Sequence, residues 1–255
     1  MIAALVLAGG SIPPAQRAAW GGIANRAVAE IAGQTLLQRV VTALQATPEV
    51  GTILVAGDVP LPAGCQAAPG GASLVDTLLL GAAALGAQEQ RLLVVTADIP
   101  FLTPDAVQEF LAAAPNDAAF VYPIVPADSC RARYPAMRRT TLRIAEGAFT
   151  GGNIVLLDPA FLRARDPLLR AAWAQRKSVP GLARLLGGEI VGRLFLSRLV
   201  PGVLRIAHLE AAVSRVLGGT ARAVVCDRPE IGADIDHPED IAVARAMLDV
   251  AGTVQ

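Results

Sequence analysis

Short apolar runs and helical patterns take turns along the first half of the chain. IAALVL (2–7) is a β-compatible run closed by Gly9-Gly10, and GTILVAG, RLLVVTADIP and DAAFVYPIV repeat the signal at 51, 91 and 117. Between them, GQTLLQRVVTALQA (33–46) puts Leu36, Leu37, Val40, Val41 and Leu44 on one helical face. SLVDTLLLGAAALG (73–86) opens on Ser73, and Thr103-Pro104-Asp105 caps a third helix. Strand and helix in this order predict right-handed crossovers and a mostly parallel sheet with helices on both faces. The expected architecture is a three-layer α/β/α sandwich whose third strand ends at Asp98. Further on, AFTGGNIVLLDP reads as a glycine turn and then a strand, 159–188 and 208–218 as helices, ARAVVCD as a short strand and HPEDIAVARAML as a final helix. No repeat or low-complexity linker divides the chain, so one domain over 1–255 is expected.

The composition is 53% hydrophobic with a mean hydropathy of +0.49, yet no apolar run reaches the eighteen or so residues a membrane span needs. Met1 leads straight into a strand without a basic leader, so a cytoplasmic protein with no membrane partner is expected. Cys65, Cys130 and Cys226 stand far apart without a CxxC pair, a pattern that fits a reducing compartment and offers no zinc site. The 22 basic and 22 acidic residues balance, which argues against a general nucleic-acid surface. Lys177 is the only lysine. Any task that commonly falls to lysine therefore passes to arginine or to that one residue.

In an open α/β sheet, ligands sit at the carboxyl ends of the strands. Gly9-Gly10 lies at such an end and lets the backbone approach a phosphate or a base, although Gly-Gly after a strand is also plain turn chemistry. Asp98 in VVTADIPFLTP occupies the same edge. Its carboxylate there either holds a divalent cation or closes the turn before Pro100. In IGADIDHPEDI, Asp234 and Asp236 alternate along an extended segment, so two carboxylates aim one way and repel unless a cation or an arginine intervenes. The plainer reading makes Asp236 a helix N-cap and leaves Asp234 solvated. Arg131, Arg133, Arg138, Arg139 and Arg143 cluster within thirteen positions; they suit an anionic ligand or form a solvated basic hairpin.

LVLAGG (5–10), NRAVAEIAGQTLLQRVVTAL (25–44), PGGASLVDTLLLG (69–81), VTADIPFLT (95–103) and ADIDHPEDI (233–241) together resemble the molybdenum-cofactor guanylyltransferase-like (MobA-like) NTP transferases. These are nucleotidyltransferases of the glycosyltransferase-A-like fold, that of the nucleotide-diphospho-sugar transferases. The resemblance implies that Leu7, Ala8, Gly9 and Gly10 open the nucleotide loop, with Gly71 and Ser73 near base or ribose. It places Arg26 where relatives carry lysine at the triphosphate, and it makes Asp98 the magnesium ligand, with Asp234 and Asp236 closing the metal site. Arg26 and Asp98 are then the catalytic pair. Acceptor-facing positions fall on Arg138, Arg139, Asn153 and Lys177. Relatives read G-x-S-x-R-M-G-x-x-K after the glycines; this chain reads SIPPAQRAAWGGIANR, and Arg17 does not fall in that register.

Nucleotidyl transfer needs charge neutralised and an acceptor aligned in line with the α-phosphorus, and no protein nucleophile. Magnesium takes oxygen ligands, which three aspartates supply. The expected function is Mg²⁺-dependent transfer of NMP from an NTP to a small, phosphorylated or otherwise anionic acceptor, with release of pyrophosphate. The alternative is a non-catalytic nucleotide-binding or regulatory protein of the same fold, which the altered phosphate loop would suit. A sugar-nucleotide glycosyltransferase is weaker, because the strand end reads T-A-D and not D-x-D. A dinucleotide-binding Rossmann protein is disfavoured because LAGGSIPP is not G-x-G-x-x-G.

Overall fold

The computed structural model describes residues 1–85, 90–137, 139–175, 181, 185 and 187–252. A central sheet carries β1 (Ile2–Leu7), β4 (Val50–Ala56), β5 (Gln66–Ala68), β6 (Leu92–Thr96), β7 (Phe120–Pro126), β8 (Leu142–Ile144), β9 (Gly147–Gly151), β10 (Ile154–Leu157) and β11 (Ala221–Val225). β2 (Glu30–Ile31) and β3 (Gln34–Thr35) form a separate small hairpin. The helices are α1 (Leu36–Gln45), α2 (Leu74–Ala84), α3 (Pro104–Ala113), α4 (Ala127–Arg133), α5 (Pro159–Ala164), α6 (Asp166–Gln175), α7 (Gly188–Leu196), α8 (Ile206–Leu217) and α9 (Pro238–Gly252). Lys177 lies outside the described residues, as does Arg138.

β1 is an unbroken apolar run because both of its faces are covered. Ala4, Val6 and Ala8 pack with Leu37, Val40 and Val41 of α1 and with Val107 and Phe110 of α3. Ala3 and Leu5 pack on the other face with Ala82 of α2 and Leu162 of α5, and Leu169 of α6 leans on the same cluster. Gly81 lets α2 settle closely, since a Cβ there would lie 2.5 Å from Leu5 Cδ2. All five apolar positions read from the α1 sequence are buried. Each contributes roughly 1.5–3 kcal/mol. Thr35 and Gln38 close that helix start with a capping box.

Strand order runs β5-β4-β1-β6-β10-β7, with β11 on the far side of β7. The chain winds outward through β1, β4 and β5, then returns to lay β6 on the opposite side of β1. The crevice at the carboxyl ends of β1 and β6 is therefore the topological switch point. Pairing is parallel from β5 to β6 and between β7 and β11. Only β9 and β10 run against the rest of this sheet, among the described strands.

Two sequence expectations change here. β6 ends at Thr96, so Asp98 belongs to the turn that follows and not to the strand. The AFTGGN segment is not a glycine turn: Gly147–Gly151 is itself strand β9. Its glycines serve close approach, because a Cβ on Gly151 would lie 2.0 Å from the Tyr122 hydroxyl and one on Gly152 would lie 2.6 Å from Ile231. β9 continues past the end of β6, which carries the β8–β9 hairpin beyond the carboxyl edge of the sheet.

The long loop after Gly10 is also ordered differently from an open phosphate loop. Pro14–Trp20 forms 3-10 turns, Ser11 bridges to Asn25, and the Ile12 N–H donates to Ala24 at 2.8 Å. Trp20 and Ile12 anchor the loop in a second core with Ile31, Leu36, Phe101, Tyr134, Ala233 and Ile235. Arg17 is spent inside it, its Nε donating to the Ile12 carbonyl at 3.2 Å. Trp20→Ala is expected to cost about 3–5 kcal/mol of stability. Urea unfolding gives the magnitude; faster hydrogen exchange across residues 11–25 identifies the loop as the element released.

Candidate active site

Asn25 sets the geometry at the switch point, although sequence reasoning assigns it no role beyond its place in a motif. Its Nδ2 donates to the Ala8 carbonyl at 2.7 Å, and its Oδ1 accepts from Ala27 N–H at 2.9 Å. The first bond fastens the residue to the end of β1, and the second caps the short turn Arg26–Val28. Arg26 itself donates its backbone N–H to Gly10 at 2.9 Å. The guanidinium is thereby held across the glycine loop, 3.3 Å from where a Gly10 Cβ would sit. Gly57 supports the same loop from β4, since any Cβ there would come within 2.4 Å of the Ala8 oxygen.

Arg26 faces two carboxylates. Its Nη2 lies 3.6 Å from Asp98 Oδ2, and its Nη1 donates to Asp236 Oδ1 at 3.0 Å. The distant IGADID segment arrives through a backbone bond, Ile235 N–H to the Asp98 carbonyl at 2.8 Å. Asp98 Oδ1 is buried with no hydrogen-bond partner. A bare carboxylate oxygen in that position is costly unless a ligand satisfies it.

Asp234 does not join this group. Its carboxylate is paired with Arg139, whose Nη2 also donates to the Asp234 carbonyl at 3.0 Å. Both side chains are largely buried, at 12% and 18% exposure. Burial pulls the Arg139 pKa down, and the surrounding acids oppose that shift. Arginines thus lie between the aspartates, and no cluster of three acidic, histidine or cysteine side chains converges among the described residues. Asp236 is not the N-cap proposed for the last helix: Asp240 Oδ2 accepts the N–H groups of Asp236 and His237 at 3.1 and 2.8 Å.

A cleft of about 550 Å³ opens at this edge. Leu7, Ala8, Gly9, Gly10, Arg26, Gly71, Ser73 and Asp98 all line it. Gly9 faces open space, with no protein atom within 4 Å of where a Cβ would sit. Gly71 is needed for packing, because a Cβ would meet Asp76 at 2.2 Å. Ser73 caps α2 through the Asp76 N–H and also donates its hydroxyl to the Asp76 carboxylate at 2.6 Å. That hydrogen bond, with Arg170, lowers the Asp76 pKa.

Beside it lies a larger space of about 1840 Å³ beneath the β8–β9 hairpin, lined by Arg139, Arg143, Asn153, Asp234 and Asp236. Asn153 bonds inward: its N–H and Nδ2 both donate to Ile231, at 2.9 and 3.4 Å. The basic cluster disperses. Arg131 pairs with Asp128 on the surface of α4, and Arg133 lies over the Tyr134 ring at 5.7 Å. All three cysteines are free. No helix among the described residues is long and apolar enough to cross a membrane.

A mostly parallel sheet thus carries a glycine loop, Arg26 and the turn aspartate Asp98 at its switch point. Residues 4–201 match the MobA-like NTP transferase domain, and the chain belongs to that family. A hypothetical transferase from Thermus thermophilus is similar in structure, with a TM-score of 0.83, 39% identity, 94% of this chain and 99% of that one covered. The fold is shared with 2-C-methyl-D-erythritol 4-phosphate cytidylyltransferase of Thermus thermophilus, at 17% identity and TM-score 0.54 over 98% of this chain and all of that one. It is shared also with a CMP:2-keto-3-deoxy-manno-octonic acid synthetase complexed with CTP, at 16% identity and TM-score 0.62 over 98% and 100%. No curated protein matched the sequence.

The Arg139–Asp234 pair separates architecture from chemistry. Asp234→Ala strands a buried guanidinium and is expected to cost about 3–5 kcal/mol. The double variant Arg139→Met with Asp234→Leu should recover most of that loss in chemical denaturation, because both charges leave together.

Proposed function

We propose that this protein transfers NMP from an NTP to a small anionic acceptor in a Mg²⁺-dependent reaction. The observation that carries the reading is the Asp98 carboxylate, with one buried oxygen unpartnered, facing Arg26 in a glycine-lined cleft at the switch point. Asp98, with Asp236 alongside, would hold Mg²⁺, which supplies charge neutralisation on phosphate oxygens. Gly9 leaves space for the nucleotide against the end of β1. Arg26 trades its carboxylate partners for phosphate oxygens and stabilises the charge that gathers on departing pyrophosphate. Asp234 keeps Arg139 in place as a wall of the larger space, where the acceptor enters. Water is displaced by the two substrates, and alignment does the rest.

One observation favours a non-catalytic nucleotide-binding protein instead. Arg26 is shared between Asp98 and Asp236, and this pairing already satisfies the guanidinium and offsets one of the two carboxylate charges internally. Substitution at Arg26 separates the two readings. For a transferase, Arg26→Ala depresses kcat by roughly 30- to 1,000-fold and weakens NTP binding far less. Arg26→Lys retains substantial turnover. For a binding protein, the wild type releases no pyrophosphate with any candidate acceptor, and Arg26→Ala alters only affinity.

Asp98→Asn removes the charge while keeping the shape of the turn. Transfer is expected to fall to background with little change in melting temperature, as read by pyrophosphate release across a Mg²⁺ titration. Turnover at the wild-type level under limiting Mg²⁺ would return Asp98 to the role of a turn residue. A thermal-shift screen with ATP, CTP, GTP and UTP identifies the nucleotide, because ligand bound only to the native state raises its apparent stability.

A further inference from the structure

Trp173 of α6 belongs to the wall of the smaller cleft. Arg26 and Asp98 are the only formally charged side chains among the described lining residues, and Trp173 is the only aromatic one. Gly70, Gly71, Ala72, Ser73 and Leu74 line the same cleft. Gly70 faces open space there, with nothing within 4 Å of a Cβ position. A cleft whose lining combines several glycines with one indole suits a flat, apolar-faced ring.

The helix carrying this indole is fixed to the nucleotide wall. Arg170 pairs with Asp76 near the start of α2, and the same carboxylate accepts from the Ser73 hydroxyl at 2.6 Å. Arg170 and Trp173 are three residues apart and so share a helix face. On its inner side, Leu169 packs against the sheet cluster. The Arg170–Asp76 pair and the packing of Leu169 together tie this helix to the start of α2 beside Ser73.

We propose that Trp173 is the stacking platform for the base of the bound nucleotide, with Arg170 as its positioning residue. The inference rests on the nucleotidyltransferase reading and extends it to a residue outside the glycine loop and the aspartate motifs. Stacking is tolerant of base identity because every base has a π-face. Trp173 thus supplies affinity for the base as such, while the choice among bases falls to the polar groups of the Gly70–Thr77 wall.

The test titrates wild type, Trp173→Ala and Trp173→Phe with each of the four NTPs and with inorganic tripolyphosphate, which carries no base. Trp173→Ala should weaken binding of the NTP that the wild type prefers by about tenfold and leave tripolyphosphate unchanged. Trp173→Phe, which keeps an aromatic ring, should retain most of the affinity. The chain has two tryptophans, Trp20 and Trp173, so nucleotide should quench wild-type fluorescence and leave Trp173→Phe nearly unquenched. That comparison decides the matter even if the alanine variant does not fold. Equal losses for NTP and tripolyphosphate, or undiminished quenching in Trp173→Phe, would overturn the platform while the nucleotide site stands. If no NTP binds the wild type, the functional reading falls and the platform with it.

Discussion

A single backbone hydrogen bond, from Ile235 to the Asp98 carbonyl, ties the last third of the chain to the turn after β6. Everything charged at the site is arranged around it. Asp98 itself accepts the bond on one side, Asp234 and Asp236 flank its donor on the other, and Arg26 reaches Asp236 and the Ile235 carbonyl from a third direction. One hydrogen bond of this kind is worth only about 1 kcal/mol net. Its persistence comes from the second core, where Ile12, Trp20, Phe101 and Ile235 meet. Apolar packing holds the backbone, and the backbone aims the carboxylates.

That division of labour explains what could be read from the amino acids alone. Periodicity is a local property, so β1, α1 and the final helix followed from the spacing of their apolar residues. The three-layer architecture followed from their order. Leu7 to Gly10, Gly71 and Ser73 share one cleft because strand ends in a parallel sheet converge, a rule that needs no side-chain detail. Asn25 is different. Its role depends on the Ala8 carbonyl standing in reach after the intervening loop folds back, and no local pattern announces such a meeting.

Long-range pairing hid the rest. Gly151 and Gly152 carry the signature of a turn, yet they are small because Tyr122 and Ile231 crowd the backbone from neighbouring elements. Five arginines in one stretch looked like a common surface. The structure distributes three of them among Asp128, the Tyr134 ring and Asp234, partners from an adjacent turn, a neighbouring residue and a remote segment. Asp234 and Asp236 are separated in the same way, since each meets a different guanidinium. A count of charges along the sequence cannot say which charges cancel.

Arg26 sits between Asp98 and Asp236 as an internal counter-ion, and under the proposed function such a site would behave like an ion exchanger. An anion that takes the guanidinium alone leaves two carboxylates bare, and a cation that takes the carboxylates alone leaves the guanidinium bare. Arriving together, they replace the internal pairing with an equivalent set of opposite charges. Each ligand then tightens the grip on the other by the same factor, as thermodynamic reciprocity requires. On the proposed transferase reading, a single shared arginine would then favour a metal-complexed polyphosphate over the free polyanion.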